Sequence, residues 1–369
     1  MKSFARLLPV PGVSLKGFGL VASCLLATAL LGACTPSEGS PLANNPSGST
    51  SGAPKKAGDG DPGDNGPITE PTQPPKATGN PIEGVKLWVD PNSNAMLRAN
   101  SIRAKEPEKA AIIDKIAKQP QALWLGEWNS NIYRTVQYTI QHAKEDGAVA
   151  AFIAYNLPHR DCGQESAGGL QTGDAYKRWI RRIAAGVGND KVIIILEPDA
   201  LGLLTKDNCL TKDQQTERLA LIKDAVWTLR KNPNAIVYID SGHAHWEPPA
   251  VFAERLKPAG IEDANGFSVN VSNYVSTEEN TVFGKKLSAL VGGAHFVIDT
   301  SRNGNGSAAD NAWCNPPGRH IGKPPSTSTG DSVIDAYLWL KRPGESDGEC
   351  NGGPKAGVFW MEQALEQAK

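Results

Sequence analysis

Net charge is nearly absent from this sequence. Its 369 residues carry 38 basic and 39 acidic side chains, a formal −1, so no global field draws the chain to nucleic acid or another strongly charged polymer. Tryptophan is missing from the first 82 residues. All nine (Trp88, Trp124, Trp128, Trp179, Trp227, Trp246, Trp313, Trp339 and Trp360) come later, which divides the chain into two physical classes. Cysteine is scarce, with six in all, and the wide spacings do not suit a zinc ribbon. A membrane-spanning helix is disfavoured, because the uncharged stretch Gly17 to Ala33 is short and runs straight into polar, Pro/Gly-rich sequence.

What is present begins with an export signal. Lys2, Arg6 and Lys16 form a basic segment ahead of that uncharged stretch, the form of a secretory signal peptide over residues 1–33. It ends in Leu31-Gly32-Ala33-Cys34, which resembles a bacterial lipobox. Cys34 is then the expected lipidation site, and the expected location is extracytoplasmic, at the outer face of a membrane. The alternative is an ordinary signal peptide cleaved nearby, with the protein released. Residues 34–82 are expected to be a disordered linker: from Thr35 to Ile82 there are ten prolines, eight glycines and no aromatic side chain, too little apolar surface to offset the entropy of ordering. With Cys24 in the signal and Cys34 at the anchor, Cys162, Cys209, Cys314 and Cys350 remain for disulfides in an oxidising compartment. Of three possible pairings, Cys162–Cys209 with Cys314–Cys350 is the most economical.

Residues 83–369 alternate short β-branched runs with amphipathic helical stretches. The predicted strands are 85–89, 122–125, 149–154, 192–196, 236–239, 267–271, 295–298 and 336–340, and the predicted helices 108–118, 132–144, 175–185, 212–230, 282–291 and 359–367. Near-continuous apolar strands between helices imply an α/β fold with parallel strands buried on both faces. The length fits a single (β/α) barrel, or an open doubly wound sheet. The C-terminal ends of these strands carry Asp161, Glu197, Asp199, Asp240, Asn270, Asn273, Asp299, Glu345 and Asp347. Any one of these is an ordinary cap or turn residue. Recurring at one rim, they line an acidic cleft of the kind that keeps one carboxylic acid protonated for general acid work. Trp124, Trp246 and Trp313 also fall at strand ends, where an indole can stack on a sugar ring; Trp179, Trp227, Trp339 and Trp360 fall in packing positions.

Six ordered segments carry a family resemblance: Ala154 to Cys162 (AYNLPHRDC), Ile193 to Leu201 (IIILEPDAL), Tyr238 to Ala244 (YIDSGHA), Asp299 to Gly304 (DTSRNG), Trp313-Cys314-Asn315, and Lys341 to Gly348 (KRPGESDG). Together they make residues 83–369 resemble glycoside hydrolase family 6. The resemblance implies a cellulase acting on β-1,4-glucan with inversion at the anomeric carbon, on a distorted parallel barrel of about seven strands with its cleft at the C-terminal rim. Asp199 matches the general acid and Asp161 the neighbour that keeps it protonated. Asp347 matches the base acting through water, and Tyr155 the tyrosine that presses the sugar out of its chair. Trp124, His243, Trp246, Asn273, Trp313, Lys341 and Glu345 match substrate-binding positions, and Arg302 an arginine near the base. Each disulfide would pin catalytic loops, since Cys162 adjoins Asp161 and Cys350 follows Asp347. One departure is the family's serine after the Arg-Asp-Cys segment, whose register among Ser166 to Gly169 is uncertain. Another is the short, glycine-rich loop from Gly344 to Pro354, which favours an open cleft and endo cleavage over a roofed tunnel and exo action.

The resulting expectation is a monomeric, lipid-anchored endo-β-1,4-glucanase with a polysaccharide substrate and no cofactor, metal or nucleic-acid partner. An exo-acting cellobiohydrolase of the same family is one alternative. A lipid-anchored glucan-binding receptor is another, although it would need no acid and base flanking the sugar. Retention of Asp161, Asp199 and Asp347 argues against an inactive adhesin. His243 and His245 lack a third ligand at a sensible spacing for a metal.

Overall fold

A computed structural model describes residues 67–206 and 209–369. The signal peptide, Cys34 and most of the linker lie outside these residues. Seven parallel strands form one sheet in sequential order: β1 Leu123–Leu125, β2 Ala151–Ala154, β3 Val192–Leu196, β4 Ala235–Asp240, β5 Gly266–Val269, β6 His295–Asp299 and β7 Ile334–Leu338. The helices between them include α1 Asn94–Ile102, α2 Pro107–Ala117, α3 Ile132–Glu145, α4 Gly173–Val187, α5 Lys212–Leu229, α6 Pro249–Leu256 and α7 Thr277–Leu290, with α8 Met361–Gln367 at the C-terminus. β3 is buried at every position, as an apolar run without alternation requires of a strand covered on both faces.

The pleat sorts the strand residues into two cores. Ile153, Ile193, Ile195, Ile236, Tyr238, Val297, Ala336 and Leu338 face one another inside the curled sheet. Their neighbours Phe152, Ile194, Leu196, Val237, Ile239, Phe267, Phe296 and Ile298 pack outward against the helices. The curl is not closed by a ladder, since β1 and β7 are no neighbours in the sheet. Instead Ala122 N donates to Trp339 O at 3.0 Å, and the Trp124 indole donates to Leu340 O at 2.9 Å.

Two expectations need correction. The run Val85–Val89 is not an eighth strand: it makes one parallel bridge, Leu87 to Val149. Asp90-Pro91 follows, and the chain turns into α1, whose N-cap Ser93 accepts from Met96 N. The expected linker is also ordered over residues 67–82. Arg181 donates to Thr69 O and Arg230 to Pro75 O, at 2.8 and 2.9 Å. The Gln73 amide donates to Asp263 at 2.8 Å, and Asn80 donates to Asp335 O at 3.1 Å. Ile82, fully buried, belongs to the core inside the curl. Proline-rich chain needs few internal bonds to stay extended, so side chains on α4 and after α5 suffice to hold it as a strap. The sequence pattern also passed over α1 and α6.

Candidate active site

The chemistry-bearing residues gather at the C-terminal ends of the strands, and the backbone there is unusual. His159, Asp161, Cys162, Glu197, Asp199, Asn270 and Ser272 all have φ between +51° and +71°, conformations that cost side-chain-bearing residues energy and concentrate at functional sites. After β2, Tyr155 is buried and its hydroxyl donates to Asp199 Oδ2 at 3.3 Å. Asp161 opens a tight turn, and its Oδ2 accepts from Ser166 N at 2.8 Å. Asp199 N donates to Asp240 Oδ2 at 3.1 Å, placing two carboxylates side by side.

These surroundings separate the acids. Loss of water, then the charges of Asp240 and Asp161, push the Asp199 carboxyl well above the usual range, against the opposing pull of the Tyr155 hydroxyl and Lys341. Burial also raises Asp161 and lifts Asp240 to about 7. Asp347 is treated oppositely. Burial would raise it, but the Arg302 and Lys341 charges outweigh that and hold it below the ordinary value. Arg302, fully buried, donates through Nη1 to both Asp347 oxygens at 2.9 Å. Lys341 Nζ stands 3.4 Å away, while Tyr274 Oη and Asn315 N donate at 2.9 and 3.1 Å. The site thus pairs a carboxyl that keeps its proton with a carboxylate that has lost it.

The aromatic surfaces are less uniform. Trp124 packs edge-on to Tyr155 with centroids 5.3 Å apart. Trp246 lies beside His243, centroids 5.4 Å apart, its ring resting on Gly202, where a Cβ would come within 2.6 Å. Burial, then His245, lowers His243 to about 4, keeping a neutral imidazole. Trp313 is 42% exposed and precedes Cys314, which is bridged to Cys350. Asn273 donates its amide to Val271 O, and Glu345 accepts from Asn94 at 2.7 Å, so in this structure both side chains are occupied by the protein. Cys162–Cys209 and Cys314–Cys350 are paired. His245 is engaged by Glu279 and Asn311, and among the described residues no group of three His, Cys, Asp or Glu could hold a metal.

Several neighbours were missed in the sequence. Tyr274, Asn315, Arg160 and Glu127 all reach the catalytic loops, but Tyr274 and Glu127 carry no local pattern that marks them. Ser166 supplies its backbone N–H to Asp161 at 2.8 Å.

Known proteins resemble this chain in sequence and in shape. Endoglucanase A of Cellulomonas fimi is 41% identical over 285 residues, covering 77% of this chain and 61% of that protein; the chain therefore spans about three fifths of that relative's length. Endoglucanase 1 of Streptomyces halstedii is 40% identical over 289 residues, covering 76% and 87%. The structure of the endoglucanase Cel6 from Mycobacterium tuberculosis, in complex with methyl-cellobiosyl-4-deoxy-4-thio-β-D-cellobioside, superposes with a TM-score of 0.74 at 43% identity, covering 78% of this chain and 97% of that one. The family model described as glycosyl hydrolases family 6 matches residues 82–369, and the chain belongs to that family.

Proposed function

We propose that this chain is an inverting endo-β-1,4-glucanase that hydrolyses internal bonds of cellulose or a related β-glucan. The observation that carries the reading is the opposite displacement of Asp199 and Asp347 within one rim. Asp199, held protonated, donates to the glycosidic oxygen as the C1–O bond breaks. A water on the opposite face of the ring attacks C1, and its proton passes toward the ionised Asp347, through further water where contact is not direct. Asp161 ionises before Asp199, so its charge both retains the proton on Asp199 and offsets positive charge growing on the sugar. Tyr155 presses on the same ring, and Trp124, Trp246 and Trp313 supply stacking faces for an uncharged polymer.

Endo action is supported by the short, glycine-rich loop from Gly344 to Pro354 that carries Asp347 and by the endoglucanase names of the relatives above. Export and anchoring through Cys34 rest on the sequence of residues 1–34 and on the two disulfides. Following cello-oligosaccharide hydrolysis by NMR should show an α-configured first product, and carboxymethyl-cellulose should lose viscosity early for each reducing end released. A β product sinks inversion; slow viscosity loss with cellobiose as sole early product sinks endo action. Asp199→Ala should lose at least 10²-fold in kcat while still binding oligosaccharide, whereas a binding receptor hydrolyses nothing in either form. Cys34→Ala should move the protein from the membrane fraction to the medium if the anchor is used.

A further inference from the structure

Arg160 sits between Tyr155 and Asp161 in sequence and space, yet it does not bond to Asp161. It is 6% exposed, and all five of its N–H donors are spent elsewhere. Nε donates to Ser166 O at 2.8 Å, and Nη2 to Ala167 O at 3.2 Å. Nη1 donates to Tyr155 O at 2.9 Å. The remaining two make a fork onto Glu127, Nη1 to Oε2 at 2.6 Å and Nη2 to Oε1 at 2.8 Å. The guanidinium lies 4.8 Å from the centroid of the Tyr155 ring and 5.3 Å from that of Trp128. Space for this fork is reserved by Gly168, at φ +148°, where a Cβ would fall 2.4 Å from Arg160 Nη2 and 2.5 Å from Glu127 Oε1.

We propose that Glu127, in the loop after β1, is a positioning residue: its bidentate hold turns the Arg160 cation toward the Tyr155 ring and away from Asp161, fixing the Asp161 loop and leaving that aspartate's charge free to act on Asp199. The inference rests on Asp199 being the acid and Asp161 its electrostatic partner. A planar two-bond fork sets direction as well as energy. Without it, Arg160 would keep its charge beside Asp161 with two donors unspent, and the Asp161 carboxylate, which already accepts from Ser166 N through Oδ2, is the anion its charge acts on.

The charges that face this unit are Tyr155, Asp161 and Glu197, each already pulled down by Arg160, with Lys206 and Glu165 acting on Asp161. Asp199 is faced by Asp240, Asp161, Tyr155 and Lys341. Removing the Glu127 charge leaves the Arg160 cation free to offset Asp161, and Asp161 is one of the charges that hold the proton on Asp199. An acid that must be protonated then loses its proton at lower pH, so the alkaline limb of the rate profile moves down.

The test is the pH dependence of kcat and KM on cellotetraose for the parent, Glu127→Ala and Glu127→Gln, with Tm measured alongside. Glu127→Ala should lower kcat about tenfold with KM within twofold, the size of losing a charge-assisted hydrogen bond, and shift the alkaline limb to lower pH. Glu127→Gln, which keeps an acceptor oxygen but no charge, should recover part of kcat and show the same shift. An unmoved alkaline limb in both variants, or a kcat loss that only tracks a falling Tm, overturns the proposal. If Asp199→Ala retains full activity, the reading of the acid fails instead, and the two failures are told apart.

Discussion

At the residue scale, Asp347 depends on two cations that do different work. Arg302 is wholly buried and grips both oxygens, so its loss would strand a buried charge and damage the fold. Lys341 stands farther off and is the cleaner probe. In its proposed role as base Asp347 must be ionised, so activity should be lost as pH falls through its pKa. Lys341 helps hold that pKa down, and Lys341→Met should therefore move the acid limb of kcat/KM to higher pH. An acid limb unchanged in that variant would remove Asp347 from the base role. Trp313 is 42% exposed. Trp313→Ala should raise KM for long oligosaccharides several-fold, in line with the loss of about 1 kcal/mol of stacking, while kcat stays near the parent.

At the element scale, the rim loops hold shapes that their backbones resist, and the disulfides fasten them. Cys314–Cys350 spans 36 residues and joins the Trp313 segment to the loop after Asp347; closing a loop of that size is worth on the order of 4 kcal/mol. Cys314→Ser with Cys350→Ser should lower Tm and depress kcat together, because Asn315, beside Cys314, holds Asp347 through its backbone N–H and receives Asp347 N in return. Much of this was legible in the sequence. Strands β2 to β7 announced themselves as largely apolar runs, although β5 holds Ser268 and β7 holds Asp335 and begins two residues before its predicted run, and Asp161, Asp199 and Asp347 sit within short motifs in the order that carries the resemblance. Glu127 was not legible, since an exposed glutamate in a loop looks the same whether it is solvated or grips an arginine 33 positions later. Residues 85–89 misled because an apolar run reads alike whether it makes a ladder or, as here, one bridge from Leu87 to Val149.

At the scale of the whole molecule, composition suggested that residues 34–82 could not fold alone, but composition is silent about what residues 67–82 lie against. Ile82 is buried in the core inside the curl, so Ile82→Ala should cost about 2–5 kcal/mol by chemical denaturation. A chain beginning at Gly79 keeps that plug and loses the bonds of Thr69, Gln73 and Pro75; its Tm should fall by roughly 5 °C relative to one beginning at Pro67. Equal melting of the two would mean that the strap contributes nothing. The strap also has a mechanical meaning. A pull arriving ahead of residue 67 does not load the sheet first. It meets Thr69 on Arg181, then Gln73 on Asp263, then Pro75 on Arg230, and finally Asn80 on Asp335. Bonds met one after another peel at low force rather than share the load, so the strap would act as a sacrificial fuse, yielding in steps while the catalytic rim at the other end of the strands keeps its shape.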